Sequence, residues 1–225
     1  MDQNRLTYLL TIRGTLKPKT LEAARSAHNE AAGAPANVAA ARALGDLSHM
    51  VYVPGDHQGT AAGEFLILDV WNSLEGLNKF FADTHVQQGA ELIFSQRDPV
   101  VWQPAEGFAS YHLPAPHDKT DRFVGIVRGP VRSRAEAQKV HNNLVEGAVN
   151  AARAAGNLSH EAYFRLAPPG SPEALEFFAV DVWMDGQGMA KYYDNPDFMK
   201  GLMQMFSAEP AASVWTHPAG QWIEW

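Results

Sequence analysis

Short apolar runs of β type alternate along this chain with longer Ala-, Glu- and Arg-rich stretches, and the whole alternation occurs twice. Leu6 to Arg13 reads as a strand, and Gly14 to Pro18 turns it toward a helix. Thr20 to Leu44 is rich in good helix formers, and Gly45 stops it, as a glycine just past a helix C-terminus does. Leu47 to Val53 is the next strand, Pro54 to Gly63 a polar hairpin loop, and Phe65 to Trp71 the strand that returns. In that strand Phe65, Ile67 and Trp71 alternate with Leu66, Leu68 and Val70, so both faces are apolar and both need cover. A helix follows from about Ser73 to Ala82, a short helical stretch over Val86 to Phe94, and a closing strand at Val100 to Gln103. The order is β-α-β-β-α-β.

The second half repeats it. GDLSH, Gly45 to His49, returns as GNLSH, Gly156 to His160. Asp69-Val70-Trp71 returns as Asp181-Val182-Trp183, His28-Asn29 as His141-Asn142, Arg13-Gly14 as Arg128-Gly129. Phe80-Phe81 is answered by Tyr192-Tyr193, and Trp102 and Gly107 by Trp215 and Gly220. The offset stays between 111 and 115, and a match sustained in order is an internal duplication. His28 and His49 are 21 residues apart, whereas His141 and His160 are 19 apart. The extra pair sits at Gly33-Ala34-Pro35, which breaks the first copy's helix, while the second reads straight through. Its helix opens with Ser133 and Glu136, a capping-box spacing.

A period this long suits one small domain per copy. Residues 1–106 are expected to form the first repeat, 107–121 a linker, and 122–225 the second. The expected fold class is α+β: two tandem ferredoxin-like repeats whose antiparallel sheets face each other as a pseudo-dimeric α/β barrel.

Composition narrows the function classes. The 225 residues are 46% apolar and 19% charged, ordinary values for a globular protein. The absence of cysteine excludes disulfides, thiolate metal sites and cysteine nucleophiles. A net charge of −7 argues against nucleic acid or an anionic membrane surface as partner. The first residues lack the pattern of a signal peptide and no run reaches the length of a membrane span, so a cytoplasmic protein is expected. GxGxxG, P-loop, HExxH and EF-hand spacings are all missing.

The repeated His and Asp carry the candidate chemistry. If each hairpin is roughly symmetric, His49 lies opposite Asp69 and His160 opposite Asp181, close enough to interact. An Asp that fixes an imidazole tautomer and raises its pKa suits a general base. Trp71 and Trp183 share the Asp's face and could stack on a flat ligand. The competing reading is structural: buried polar groups need partners whatever their function, a duplication carries a structural pair along too, and tryptophans mostly fill cores. His28 and His141 on the long helices face either a pocket or solvent, and His85, without a counterpart in the second half, marks a site confined to one repeat. His57, His112 and His117 fall in loops. Met189, Met199, Met203 and Met205 are core filler or the lining of an apolar pocket.

With these segments in place, the chain resembles the antibiotic-biosynthesis-monooxygenase family of the dimeric α/β barrel superfamily. The Gly-Asn-Leu segment opening the second strand, Asp-x-Trp closing the third, the aromatic helix that follows, and Thr84-His85-Val86 carry the resemblance. Members usually build the barrel from two chains, so a tandem copy implies a pseudo-dimer within one chain, and further homodimer formation stays open. The family's chemistry includes cofactor-free oxygenation of phenolic or quinol-like compounds, isomerisation and haem degradation. The haem branch fits poorly: Phe81 and Tyr193 stand where its iron-binding His is expected, His85 lies one turn too far on, and no Asn occurs in either first strand.

The resemblance therefore implies a cofactor-independent oxygenase or isomerase for a small aromatic or enolisable molecule, with no cofactor and no metal. In this reading His49 or His160 abstracts the proton, Asp69 or Asp181 orients it, and Trp71, Trp183, His28, His141 and His85 hold the ligand. The alternative is a non-catalytic barrel that binds a small molecule or a protein partner.

Overall fold

A computed structural model describes residues 7–55, 59–112 and 122–225 of the chain; His57 and His117 lie outside the described residues. The chain forms two compact units: unit 1 comprises Met1–Pro54, Ala61–Trp102 and Pro218–Trp225, and unit 2 comprises Gly55–Thr60 and Gln103–His217. The last eight residues, counted with the second repeat in the sequence, thus pack within unit 1.

Unit 1 runs β1 (Tyr8–Leu16), α1 (Leu21–Ala31), α2 (Pro35–Ala43), β2 (Asp46–Pro54), β3 (Glu64–Trp71), α3 (Leu74–Phe81), α4 (Thr84–Ile93) and β4 (Phe94–Pro104). Its antiparallel strands lie in the order β4-β1-β3-β2. Unit 2 contains β5 (Tyr111–His112), β6 (Phe123–Pro130), α5 (Arg134–Ala154), β7 (Asn157–Arg165), β8 (Glu176–Trp183), α6 (Gly186–Tyr193), α7 (Pro196–Met203) and β9 (Ala211–Thr216). Its strands are ordered β9-β6-β8-β7-β5. The fold class is α+β. β4 starts directly after α4, earlier than the Val100 start expected, because Phe94 to Trp102 continue the ladder on β1. β5 lies inside the stretch read as a linker, where Tyr111 pairs with His160 and His112 with Ser159.

Local chemistry explains the boundaries. Thr20 and Ser133 cap α1 and α5 by accepting from Ala23 N and Glu136 N. Ser73 and Asp185 do the same for α3 and α6. Pro35 starts α2 at a position where its missing N–H costs nothing, so the first repeat has a broken helix where α5 is continuous over 21 residues. Gly45 (φ 107°) and Gly156 (φ 94°) take the left-handed conformation that ends these helices. Their carbonyls accept from Asn72 N and Met184 N, closing the same loop in both units.

The registers place the polar pairs as expected: His49 opposite Asp69 and His160 opposite Asp181. One irregularity is shared, a shift between Asp46 and Ser48 and between Asn157 and Ser159, which lets Leu47 and Leu158 bulge out of the ladder. Phe65, Ile67 and Trp71 pack with Leu77 of α3 in one cluster. Trp183 packs with Met189 of α6 in the corresponding one. Asp69 and Asp181, in step with these residues, therefore project toward the helices. Trp71 and Trp183 are wholly buried, each removing roughly 150–250 Å² from water. Among the described residues no helix is long and apolar enough to cross a membrane.

Candidate functional site

In each unit a helix histidine meets the strand pair. His28 Nε2 lies 2.9 Å from His49 Nε2, and His49 Nδ1 lies 2.7 Å from Asp69 Oδ1. In unit 2 the distances are 2.8 Å for His141–His160 and 2.7 Å for His160–Asp181. An asparagine completes each chain: His28 Nδ1 is 3.0 Å from Asn29 Oδ1 and His141 Nδ1 is 3.2 Å from Asn142 Oδ1.

The protonation pattern follows from the bonds. Asn29 Nδ2 donates to Gln221 O, and its Oδ1 accepts from Ile223 N. Asn142 does the same with Gly107 O and Ala109 N. The amide orientation is therefore fixed by its neighbours. An Oδ1 can only accept, so Nδ1 of His28 and of His141 carries the hydrogen. Burial, reinforced by the neighbouring histidine's charge, drops both to a pKa of about 4, so each is neutral and its Nε2 accepts. His49 and His160 must then donate from Nε2 as well as from Nδ1, which makes them imidazoliums. Burial opposes that charge, but the Asp69 and Asp181 carboxylates outweigh it and raise both.

Asn29 and Asn142 also tie down a segment each, which sequence reading missed. Residues 107–111 and 221–225 form two straps. Phe108 packs on His141 at 5.1 Å between ring centroids, and Trp222 on His28 at 5.2 Å. Tyr111 tilts over His160 at 5.9 Å; Trp225 stacks flat on His49 at 4.5 Å. His49 and Trp225 exchange both backbone hydrogen bonds. The match of Gly107 with Gly220, shifted by one residue and carried four further, was the available signal: it sets Phe108 against Trp222 and Tyr111 against Trp225.

Around this common frame the units diverge. In unit 1 the strand residue beside Asp69 is Leu10, and Ile67 precedes the Asp by two; both are core residues. Gly125 and Ala179 hold these places in unit 2. A Cβ on Gly125 would lie 2.6 Å from the Tyr193 hydroxyl, so that hydroxyl occupies space only a glycine leaves. From there it donates to Asp181 Oδ2 at 2.6 Å. Phe81, its counterpart, has no hydroxyl to give. The Asp181 side chain is 18% exposed against 5% for Asp69.

The space left by the smaller residues is a cavity of about 640 Å³, entirely within unit 2. Its walls include His141, His160, Asp181, Trp183, Tyr192 and Tyr193. Met189, Met199 and Met203 line it, while Met205 joins the core. The volume is that of a site for a drug-sized ligand. His85, exposed at the start of α4 with its N–H on the capping Asp83, is apart from the His28–His49–Asp69 group. His112 is exposed and pairs with Glu161.

Unit 1 keeps one further titratable group, Asp46, where unit 2 has Asn157. Burial, helped by the charge of Asp69, pushes its pKa up to about 8, so at neutral pH a neutral carboxyl stands where the other repeat has a neutral amide. Asn157 accepts from the Tyr111 hydroxyl at 2.7 Å. The residues do not fit a haem: an axial imidazole needs a free ring nitrogen, and every ring nitrogen of His141 and His160 is engaged. Among the described residues no cluster of three or more His, Asp or Glu is arranged to hold a metal ion.

No family model matches the sequence, and no curated protein does. Solved structures match over nearly the full length. An anthrone oxidase-like protein superposes with a TM-score of 0.64 at 16% identity, covering 96% of this chain and 93% of its own. A candidate monooxygenase from Fusobacterium nucleatum subsp. nucleatum gives 0.62 at 10% identity, with 98% and 97% covered. A chlorite dismutase variant from Candidatus Nitrospira defluvii gives 0.55 at 10% identity, with 97% and 93% covered. At these identities the likeness establishes the fold alone, a dimeric α/β barrel fold in a single tandem chain, and leaves the chemistry to the site.

Proposed function

We propose that the chain is a cofactor-independent oxygenase of the antibiotic-biosynthesis-monooxygenase type, working in unit 2 on a flat, enolisable aromatic molecule. One observation carries this reading. The His160–Asp181 pair borders an aromatic-walled cavity of about 640 Å³, while the same pair in unit 1 is closed over by the strap and by core side chains. The likeness to an anthrone oxidase-like protein supports a substrate with an acidic ring methylene.

The roles differ from those the sequence suggested. An imidazolium has no lone pair for a proton, so His160 is not the base. Asp181, partly open to the cavity, takes the proton. It becomes neutral, and the His160 charge, no longer balanced, faces the new substrate anion. That anion passes one electron to O₂; radical and superoxide combine to a peroxide anion, which takes the proton back from Asp181 as a hydroperoxide and then loses water. The balance is R₂CH₂ + O₂ → R₂C=O + H₂O, with oxygen as the only co-reactant. Tyr193 holds the second carboxylate oxygen, and Trp183 and Tyr192 wall the ring.

The test is oxygen uptake with anthrone by wild type, Asp181→Asn and Asp69→Asn, each assayed below its melting temperature. The expected result is a loss of about 100-fold or more for Asp181→Asn with turnover retained by Asp69→Asn. Equal loss in the two variants, or no turnover by wild type, overturns the proposal. A second reading, a non-catalytic binding barrel, is favoured by the intact network in unit 1: the hydrogen bonds hold their strap there although His49 and Asp69 are both buried. Wild type that binds flat ligands in unit 2 without turnover supports that alternative.

A further inference from the structure

The walls of the unit 2 cavity carry a charge pattern that the oxygenase reading does not use. Its ionisable side chains are His141, His160, Asp181, Asp194, Glu209 and three tyrosines, with no lysine or arginine among them. His141 is neutral and the His160 imidazolium balances Asp181, which leaves Asp194 and Glu209, both exposed, as the remaining charged side chains of the wall. The tyrosines stay protonated: burial and the Asp181 charge push Tyr192 and Tyr193 up. Arg153, which is not part of the lining, has its guanidinium carbon 5.5 Å from the Tyr111 ring centroid. Most of the rest is apolar, from Val145, Val149, Met199 and Leu202 among others, with Asn157 and Ser213 as uncharged polar members.

A cleft lined by one sign of charge with low-dielectric walls focuses its field and concentrates ions of the opposite sign. Aromatic walls add attraction for a cation. From this we infer that the cavity selects flat ligands bearing a hydroxyl or an amine and rejects carboxylates and phosphates. This inference rests on unit 2 being the ligand site, and it names the substrate class more narrowly: an uncharged or cationic polycycle.

Three probes of one shape separate the charges: 9-(aminomethyl)anthracene as its ammonium, 9-anthracenemethanol and 9-anthracenecarboxylate, titrated by fluorescence anisotropy against the full chain. The ammonium and the alcohol should bind, with the carboxylate at least tenfold weaker than the alcohol. The gap should narrow in 0.5 M salt, where exposed charges are screened, and in Asp194→Asn/Glu209→Gln, whose exposed side chains can change without disturbing the core. Gly125→Leu should abolish binding of all three, which locates it. A carboxylate that binds within twofold of the alcohol overturns the charge selection and leaves the oxygenase reading standing. Failure of all three probes to bind, or binding unaffected by Gly125→Leu, overturns both.

Discussion

Unit 1 and unit 2 contain the same Asn–His–His–Asp chain, yet only in unit 2 does it border the cavity described here. The shared part is the frame: a strap tied by Asn29 or Asn142, a neutral helix histidine, an imidazolium and a carboxylate. The parts that differ are small and local. Leu10 and Ile67 are buried beside Asp69 where Gly125 and Ala179 stand beside Asp181, and Phe80-Phe81 corresponds to Tyr192-Tyr193. A hydrogen-bond network retained in both repeats is thus evidence about architecture, and the residues that changed between them are evidence about function. Duplication gave one chain two copies of a scaffold, one with its His–Asp pair buried and one with the pair on a cavity wall.

The comparison can be broken most forcefully at the straps. Trp222 is 8% exposed and belongs to the unit 1 core, so Trp222→Ala should cost about 3–5 kcal/mol. Phe108→Ala in the half-buried counterpart should cost less. Melting curves check this, and equal losses would mean that the straps are equivalent. Next comes the double variant Gly125→Leu/Tyr193→Phe, which installs unit 1's residues in unit 2. It should fold and lose at least 100-fold in turnover, about 2.7 kcal/mol of transition-state stabilisation, along with ligand binding. Full activity in that variant would place the chemistry elsewhere.

Asp46 gives a third contrast, through pH. Its folded-state pKa is raised to about 8 from 3.8, so its contribution is fully present below about pH 4. There both folded and unfolded forms hold the proton. As pH climbs toward 8 the unfolded chain releases that proton and the folded one keeps it, so stability falls, by up to about 1.4 kcal/mol per pH unit. Asp46→Asn should flatten this part of the stability profile and raise stability at pH 8; Asn157→Asp should introduce the slope into unit 2. Denaturation at pH 5, 6.5 and 8 decides, and unchanged profiles would mean that Asp46 is ionised at neutral pH. The other buried groups act alike in both variants: His28 and His141, lowered to about 4, cost stability as pH falls from 6.5 toward 4.

The smallest effect is expected from Tyr193→Phe, which removes one hydrogen bond to Asp181. About 1.5 kcal/mol of stability and about tenfold in turnover should be lost, with binding of 9-anthracenemethanol unchanged. A larger loss of binding than of turnover would make Tyr193 a ligand contact.

Much of the architecture was readable from residues that recur. The duplication, the helix break at Pro35 and the His–Asp registers follow from spacing, because a short hairpin fixes which strand residues oppose each other. The contact between helix and strand histidines was not readable, since nothing local encodes how a helix face docks on a sheet. The straps fell in the expected linker and at the end of the expected second repeat: their meaning lies in contacts as far apart as Asn29 and Ile223, 194 residues along the chain. Nothing in its own strand distinguishes Gly125, and only its alignment with Leu10 marks it as the place where volume was removed. The protonation pattern likewise required the amide orientations of Asn29 and Asn142, which spacing does not contain.

The most direct measurement is a crystal structure of the full chain soaked with 9-anthracenemethanol. The account predicts ring density in unit 2 beside Asp181 and Tyr193, against Trp183, with Trp222 and Trp225 still seated on His28 and His49 in unit 1. Density beneath a displaced C-terminal strap in unit 1, with the unit 2 cavity empty of ligand, would contradict it.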